Sequence, residues 1–275
     1  MIELNDKEFS LLREHLLSVC GIEVAADKRY LFSTRLDAIL RRLGCTSFSD
    51  FYARLKAESA TTQQELVEAM TTHETSFFRD EHPFSALEKR ILPQLAANRS
   101  KGVTQLAPRL RIFCVGCSTG EEAYSVAMSA RSWLDTQDVY RPQDISVLGV
   151  DISSKAIAAA RQAVYDPGVL AQVAARYHKY LDIQQGTVGA EIRAMVSFAQ
   201  LNLAEDIHHL GTFDLILCRN VMIYFSVALK RRLLEAFFGM LLGGGVLLLG
   251  ASEGLYMLSN QFEVQTYQNT SYYCA

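Results

Sequence analysis

Twelve consecutive residues, Arg111-Ile112-Phe113-Cys114-Val115-Gly116-Cys117-Ser118-Thr119-Gly120-Glu121-Glu122, set an apolar strand, a glycine turn and a helix start in immediate succession. A strand that runs straight into a helix leads back to a parallel partner, so this stretch commits the chain to an open α/β sheet. A nucleotide-phosphate site would present bare amides at such a helix start. Here two carboxylates occupy the first turn, which suits the helix dipole but repels phosphate, so a ligand meeting this turn is expected to be cationic there. S-adenosylmethionine, with its sulfonium and ammonium, has that character. The competing reading is an ordinary strand-to-helix turn whose glycines only relieve crowding.

The 275 residues are 49% hydrophobic, enough for one sizeable α/β core and a smaller accessory domain. A formal net charge of −3 and a pI near 6.1 weigh against nucleic acid as the main partner, because phosphate binding needs a substantial basic surface. No apolar run approaches the length of a membrane span, and Met1-Ile2-Glu3-Leu4-Asn5-Asp6 lacks the regions of a signal peptide. A cytoplasmic protein without direct membrane insertion is expected. Cys20, Cys45, Cys114, Cys117, Cys218 and Cys274 are scattered, with no second close pair to complete a zinc site, so they read as buried thiols and no metal is expected.

The first part of the chain is helical. Asn5 with Glu8 makes a capping-box pattern ahead of Phe9, Leu12, Leu16 and Val19, and the helix ends at Gly21. A second helix is predicted from about Asp27 to Gly44, with Phe32, Leu36, Ile39 and Leu43 inward and Lys28, Arg35 and Arg42 along another face. Between Asp27 and Lys56 stand seven basic residues (28, 29, 35, 41, 42, 54 and 56) against three acids (27, 37 and 50). Such a run in an acidic protein is either a solvated face or a docking surface for an acidic partner. Short helices are predicted near 49–56 and 62–70, the latter with Thr62 and Glu65 at capping-box spacing, and another begins near His82-Pro83.

After a polar linker at about 98–109, strands near 110–115, 145–150, 213–218 and 246–250 alternate with helices near 121–134, 153–164 and 227–242. The pattern predicts a Rossmann-like, doubly wound parallel sheet, completed by strands around 262–267 and 271–274. A small antiparallel β insertion is expected at 177–202. The domains are then residues 1–80, all-α, and 81–275, α/β. Asp151 closes the second strand, where an acid can accept both hydroxyls of a ribose; the alternative is a helix cap. At the end of the next core strand, Cys218-Arg219-Asn220-Val221-Met222-Ile223-Tyr224-Phe225 sends polar groups out of an apolar strand, the expected active edge.

Taken with Gly116 to Ser125 and Cys218 to Phe225, the stretch Thr71-Thr72-His73-Glu74-Thr75-Ser76-Phe77-Phe78-Arg79-Asp80 resembles the CheR-type methyltransferases, which methylate glutamates on bacterial chemoreceptors. The resemblance covers nearly the whole chain in the same order. It implies an N-terminal helical domain, a catalytic domain binding S-adenosylmethionine and an inserted β-subdomain. It also implies that His73, Thr75, Arg79, Glu121, Asp151, Asn202, Leu203, Arg219 and Asn220 line the cofactor site, with Arg79 and Tyr224 nearest the methyl transfer. By the same resemblance Lys28, Arg35, Arg41 and Arg42 are the substrate-docking candidates, facing the cytoplasmic helical domains of methyl-accepting chemotaxis receptors.

The expected chemistry needs no catalytic base, because a glutamate with a reference pKa of about 4.3 is already ionised at neutral pH. Two departures from the family pattern stand out. His73 replaces the usual asparagine; if it touches the cofactor's cationic end, binding weakens below about pH 6.5. The β insertion is shorter than in members that grip a receptor's C-terminal tail, so a tail-independent enzyme is expected. Other readings are a methyltransferase for RNA or a small molecule, or a non-catalytic S-adenosylmethionine-binding scaffold in receptor signalling. A nicotinamide oxidoreductase fits worst, because Glu121 and Glu122 stand where phosphate would bind.

Overall fold

The structure is a computed structural model that describes residues 2–57, 60–99, 110–136, 138 and 140–275. Helix α1, Asp6–Cys20, starts at the expected capping box: Glu8 N donates to Asn5 Oδ1 at 2.9 Å and Asn5 N to Glu8 Oε2 at 3.2 Å. The other oxygen of the buried Glu8 carboxylate accepts from Ser49 N and Oγ, so one side chain also fixes the start of α3, Phe48–Ala57. Between them α2, Arg29–Arg42, buries Phe32, Leu36 and Leu40. This i, i+4 row replaces the predicted Ile39 and Leu43, which lie to one side of it and are only partly buried. Helix α4, Ala60–Met70, is already formed by Ala60, upstream of the Thr62 cap that the spacing suggested.

The sheet contains β1 (Leu110–Val115), β2 (Ile145–Asp151), β5 (Val196–Gln200), β6 (Phe213–Cys218), β7 (Leu241–Leu249), β8 (Glu263–Tyr267) and β9 (Thr270–Cys274), in the order β5-β2-β1-β6-β7-β9-β8. The first five in that order run parallel, and β9 and β8 add antiparallel. Strand order reverses between β1 and β6, which makes their carboxyl ends the switch point where open α/β sheets bind ligands. One face is covered by α5 (His82–Ala86), a π-helical turn (Leu87–Ile91), α6 (Leu92–Arg99), α7 (Glu121–Leu134) and α8 (Ser154–Gln162). Helix α11 (Val227–Met240) covers the other; the short α9 (Pro167–Ala171) and α10 (Ala190–Arg193) flank the insertion. Because both faces are buried, β1 and β6 are apolar almost throughout, with Ile112 and Cys114 on one side and Phe113 and Val115 on the other.

Three boundaries differ from the sequence reading. The separate antiparallel sheet holds only β3 (Leu181–Asp182) and β4 (Thr187–Val188), whereas Val196–Gln200, expected inside the insertion, pairs with β2 as the edge of the main sheet. Its five residues sit at an edge and are mostly half-exposed, so they lack the unbroken apolar run that marks a buried strand. The N-terminal core ends at Met70, and Phe78 packs instead in the sheet core, stacked on Tyr177 with ring centroids 4.1 Å apart. Strand β7 begins at Leu241, ahead of the expected 246, and the glycines at 243–245 lie within it, where pairing with β6 jumps from Phe213↔Leu241 to Leu215↔Val246. Most of the predicted polar linker, residues 100–109, lies outside the described residues; α6 itself continues through Arg99.

The helical unit is fastened over the carboxyl ends of the strands. Glu68 of α4 accepts from Ser153 Oγ at 2.5 Å, Ser154 Oγ at 3.1 Å and Lys155 N at 3.3 Å, capping α8 from another domain. Gln200 bridges Gln64 and the Ile152 carbonyl, Asn202 Nδ2 donates to Val19 O at 2.7 Å, and Ile22 pairs with Phe225. Burial alone would raise the Glu68 carboxyl, but its hydrogen bonds outweigh that and hold it below the ordinary glutamate value of 4.5. A depressed acid contributes stability that is present above its unfolded value and lost as pH falls through its folded one. Glu68→Gln should therefore cost about 1–2 kcal/mol at pH 7. In thermal unfolding the gap from the parent should close as the buffer is taken below pH 4.5.

Candidate active site

The cleft lies where the switch point meets the helical unit. Its walls come from the 70–79 segment, the β1 turn, the ends of β2 and β5, the loop after β6 and the α1 end, and it spans about 1150 Å³ including its open mouth. Gly116 in the β1 turn has φ +67, and a Cβ there would stand 2.4 Å from Val221 Cγ2, so only glycine lets the two switch-point loops touch. Gly120 at φ +100 opens α7, and a Cβ there would stand 2.9 Å from Ala160 Cβ.

Asp151 draws the turn and the following helix together. Its Oδ2 accepts from Ser118 N and its Oδ1 from Ser153 N, both at 2.9 Å. The helix-cap reading of this acid holds in part, since it orders local backbone; a carboxylate has about four acceptor positions, and two of them remain beside the cleft. Burial pushes its carboxyl up; the two amides and His73 oppose that. His73 bonds Thr71 Oγ1 through Nε2 at 3.0 Å and lies on this side of the cleft.

Arg219 is the opposite pole. Its side chain is 1% exposed; Nη1 donates to Glu122 Oε2 at 2.9 Å, and Nη2 donates to Asp80 Oδ2 at 2.8 Å and to Arg79 O at 2.9 Å. Nε has no partner. Of the buried side-chain polar atoms left unpaired among the described residues, it alone belongs to a cleft-lining residue. Glu122 is raised by burial, against the pull of Arg219. Its neighbour Glu121, carried as a site residue from the sequence, is not among the residues lining the cleft; it accepts from Thr119 Oγ1 at 2.7 Å. Burial raises its carboxyl too, with the Thr119 bond opposing.

The remaining predicted residues, Thr75, Arg79, Asn202, Leu203, Asn220 and Tyr224, all line the cleft. Arg79 follows and precedes strained backbone: Phe78, Asp80 and Glu81 have φ of 53°, 68° and 45°. Each such residue costs about 1–3 kcal/mol, and Arg219 and the Ser125 hydroxyl on Phe78 N hold the segment in place. Asn202 spends its amide on Val19 O, so its side chain serves the domain contact. The loop carrying Asn220 and Tyr224 is gathered by Glu253, whose carboxylate accepts from Asn220 N (2.7 Å), Val221 N (3.0 Å), Ile223 N (3.3 Å) and Gly250 N (2.9 Å). No signal in the sequence marks Glu253 or Glu68, whereas Glu122 and Asp80 stood inside recognised stretches.

The docking candidates part company. Arg35 Nη1 donates to Met70 O and Thr71 O at 3.0 and 3.2 Å, bracing the cleft wall. Arg41 pairs with Asp37 and Arg42 with Glu65, both on the surface, while Lys28 is exposed.

Residues 73–271 match the model of the CheR methyltransferase, SAM binding domain, and residues 7–71 that of the CheR methyltransferase, all-alpha domain. The chain belongs to the CheR methyltransferase family. Among curated relatives it is 34% identical to chemotaxis protein methyltransferase 1 of Pseudomonas aeruginosa, over 94% of this chain and 93% of that one. It is 31% identical to chemotaxis protein methyltransferase Cher2 of Pseudomonas putida over 94% of each, and 32% identical to a chemotaxis protein methyltransferase of Vibrio anguillarum over 96% and 94%. The cofactor of this CheR-family methyltransferase is S-adenosylmethionine. The cleft fits it: the orphan Nε of Arg219 suits a carboxylate, the free acceptor positions of Asp151 suit vicinal hydroxyls, and Glu122 faces the same space with negative charge. No helix among the described residues is long and apolar enough to cross a membrane.

Removing one member of a buried ion pair strands the other, at about 3–5 kcal/mol. Arg219→Met should lose that much stability in denaturant titration, and Arg219→Met with Glu122→Gln should recover a large part of it. Additive losses would mean that the two residues do not act as a pair.

Proposed function

We propose that this methyltransferase esterifies glutamate side chains on the cytoplasmic helical domains of bacterial chemoreceptors, and so acts in sensory adaptation within the cytoplasm. The observation that carries the reading is the composition of the cleft: two half-buried acids, an arginine with a free donor, and Arg79 and Tyr224 in one lining, with a basic helix on the adjoining domain. The names of the relatives point the same way.

When bound, S-adenosylmethionine supplies a methyl group made electrophilic by its sulfonium. The chain's own task is positioning. A glutamate carboxylate arrives ionised, so no residue has to take its proton. Arg79 offers a fixed cation and Tyr224 a hydroxyl, orienting the incoming carboxylate while the 70–79 segment excludes water. Asp151 would hold the ribose hydroxyls and Arg219 Nε the methionine carboxylate, and His73, Thr75, Asn202, Leu203 and Asn220 would close around the rest. Glu121 acts at one remove, through Thr119, and Glu122 takes the place assigned to it. On the receptor side Lys28, Arg41 and Arg42 form the docking face, since exposed ion pairs are weak and readily exchanged. Arg35 serves the cleft wall. Strands of two residues each in the inserted sheet offer little edge for pairing with a peptide, which favours independence from a receptor tail.

The pH dependence follows from the acids. Glu122 and Asp151 are both raised, so in the cofactor-free protein they bind protons more tightly folded than unfolded and stability falls as pH rises above the ordinary values of 4.5 and 3.8. A cation and ribose hydroxyls favour the ionised forms, so S-adenosylmethionine affinity should rise over the same window, with proton release seen by calorimetry in two buffers. His73→Asn should move the Asp151 part of that window to higher pH, because the imidazole on that side opposes the rise of the Asp151 carboxyl.

Transfer of labelled methyl from S-adenosylmethionine to membranes bearing the same organism's chemoreceptors tests the whole reading. Label on the receptor band that mild base removes is the expected result. Tyr224→Phe should lower kcat by about tenfold or more with little effect on cofactor affinity. Tight cofactor binding with no receptor label would overturn the proposal in favour of a scaffold.

A further inference from the structure

Ten large hydrophobic side chains are exposed among the described residues, and five of them, Ile223, Tyr224, Val227, Tyr256 and Met257, stand on two segments that are tied together. Glu253 gathers the amides of the 220–223 loop and of Gly250, and Arg231, one turn beyond Val227 on α11, donates to Met257 O at 3.3 Å. Leu255 between them is buried in the core beneath. Scattered apolar side chains on a surface need no explanation, but a contiguous group at the mouth of a cleft does. Tyr256 is 88% and Met257 77% exposed. Met257 also sits at φ 58°, where glycine or asparagine would relieve the backbone and meet water better. Ile223 and Tyr224 also line the cleft, so this end of the patch belongs to the wall of the site.

We propose that this lip is the apolar wall of the substrate groove and takes the apolar flank of an acidic amphipathic helix whose glutamate enters the cleft. The inference rests on the glutamate-methylating function argued above and adds to it a specificity surface. The occupant follows from what stands beside the lip. Glu23 N donates to Tyr224 O at 2.9 Å and Ile22 pairs with Phe225, so the connector that leads within a few residues to Lys28, where the basic face starts, and to the exposed Tyr30 is fastened to the lip's own segment. A partner that meets both surfaces presents acids to one and apolar side chains to the other, as one helix does with residues three and four apart. The lip then admits a glutamate according to the side chains one turn away from it.

The test uses the full chain carrying Tyr256→Ser with Met257→Ser, and Val264→Ser as a control, since Val264 is also exposed, at 60%, but stands on β8 at an edge of the sheet. Substrates are a soluble cytoplasmic fragment of the same organism's chemoreceptor and two stapled helical peptides with a central glutamate, bearing leucine or serine one turn away. The double variant should raise KM for the fragment by about tenfold or more and erase the preference for the leucine peptide. Affinity for S-adenosylmethionine and the thermal midpoint should stay at parent values, as should all behaviour of the control. Equal KM in variant and parent, with the fragment labelled normally, overturns the lip and leaves the glutamate reading standing. No label on the fragment by a parent that binds cofactor overturns both. A parent dimer in gel filtration that the double variant abolishes assigns the patch to self-association and also overturns the lip.

Discussion

A single buried guanidinium organises the reactive end of this molecule. Arg219 leaves the sheet at the carboxyl end of β6 and bonds a helix that starts after β1, through Glu122, and a strained connector from outside the sheet, through Asp80 and the Arg79 carbonyl. Its charge is held over the Phe84 ring, 5.5 Å from the centroid, and almost wholly out of water. A charge in that position is costly unless every partner stays in place, so the same interaction that closes the cleft also penalises any looser arrangement. Arg79 is presented by backbone in left-handed conformations that no local preference would choose, and it keeps its place because Arg219 holds the carbonyl and the neighbouring acid.

Around that centre, carboxylates turned toward backbone amides do most of the positioning. Asp151 joins the glycine turn to the start of α8, Glu253 gathers the loop after β6, and Glu68 reaches across from the helical domain to cap the same α8. Each uses the free N–H groups that loops and helix starts leave over. The outcome is a cleft whose floor belongs to one domain and whose roof belongs to the other, so that closing it over a cofactor and fastening the domains are one process. The same arrangement explains the division among the basic residues of α2: Arg35 faces the roof and braces it, while Lys28, Arg41 and Arg42 face water.

Much of the fold was legible without coordinates. Local chemistry announces the capping box at Asn5 and Glu8, the strand–turn–helix at 110–121 and the buried runs of β1 and β6, because each depends on residues near in sequence. The edge strand Val196–Gln200 falls inside the expected insertion, since a half-exposed strand carries no apolar run. The glycines at 243–245 do not announce the early start of β7, since a bulge and a helix C-cap ask for the same residue. In the site, His73, Thr75, Arg79, Asp151, Asn202, Leu203, Arg219, Asn220 and Tyr224 line one cleft, and of the two acids at the start of α7 Glu122 lines it and Glu121 does not. Adjacent residues at a helix start point about 100° apart, and a motif alone does not say which of them turns inward.

Fold class and family can be read from the chain alone, because periodicity and short motifs encode contacts within a few residues. Which carboxylates do the holding depends on how the layers stack. Glu68 and Glu253 lie 85 and 33 residues from the groups they order, and Asp80 lies 139 from Arg219. Hydrogen bonds between residues so far apart leave no period or spacing in the chain; they exist once hydrophobic burial has stacked the layers and set the loops side by side.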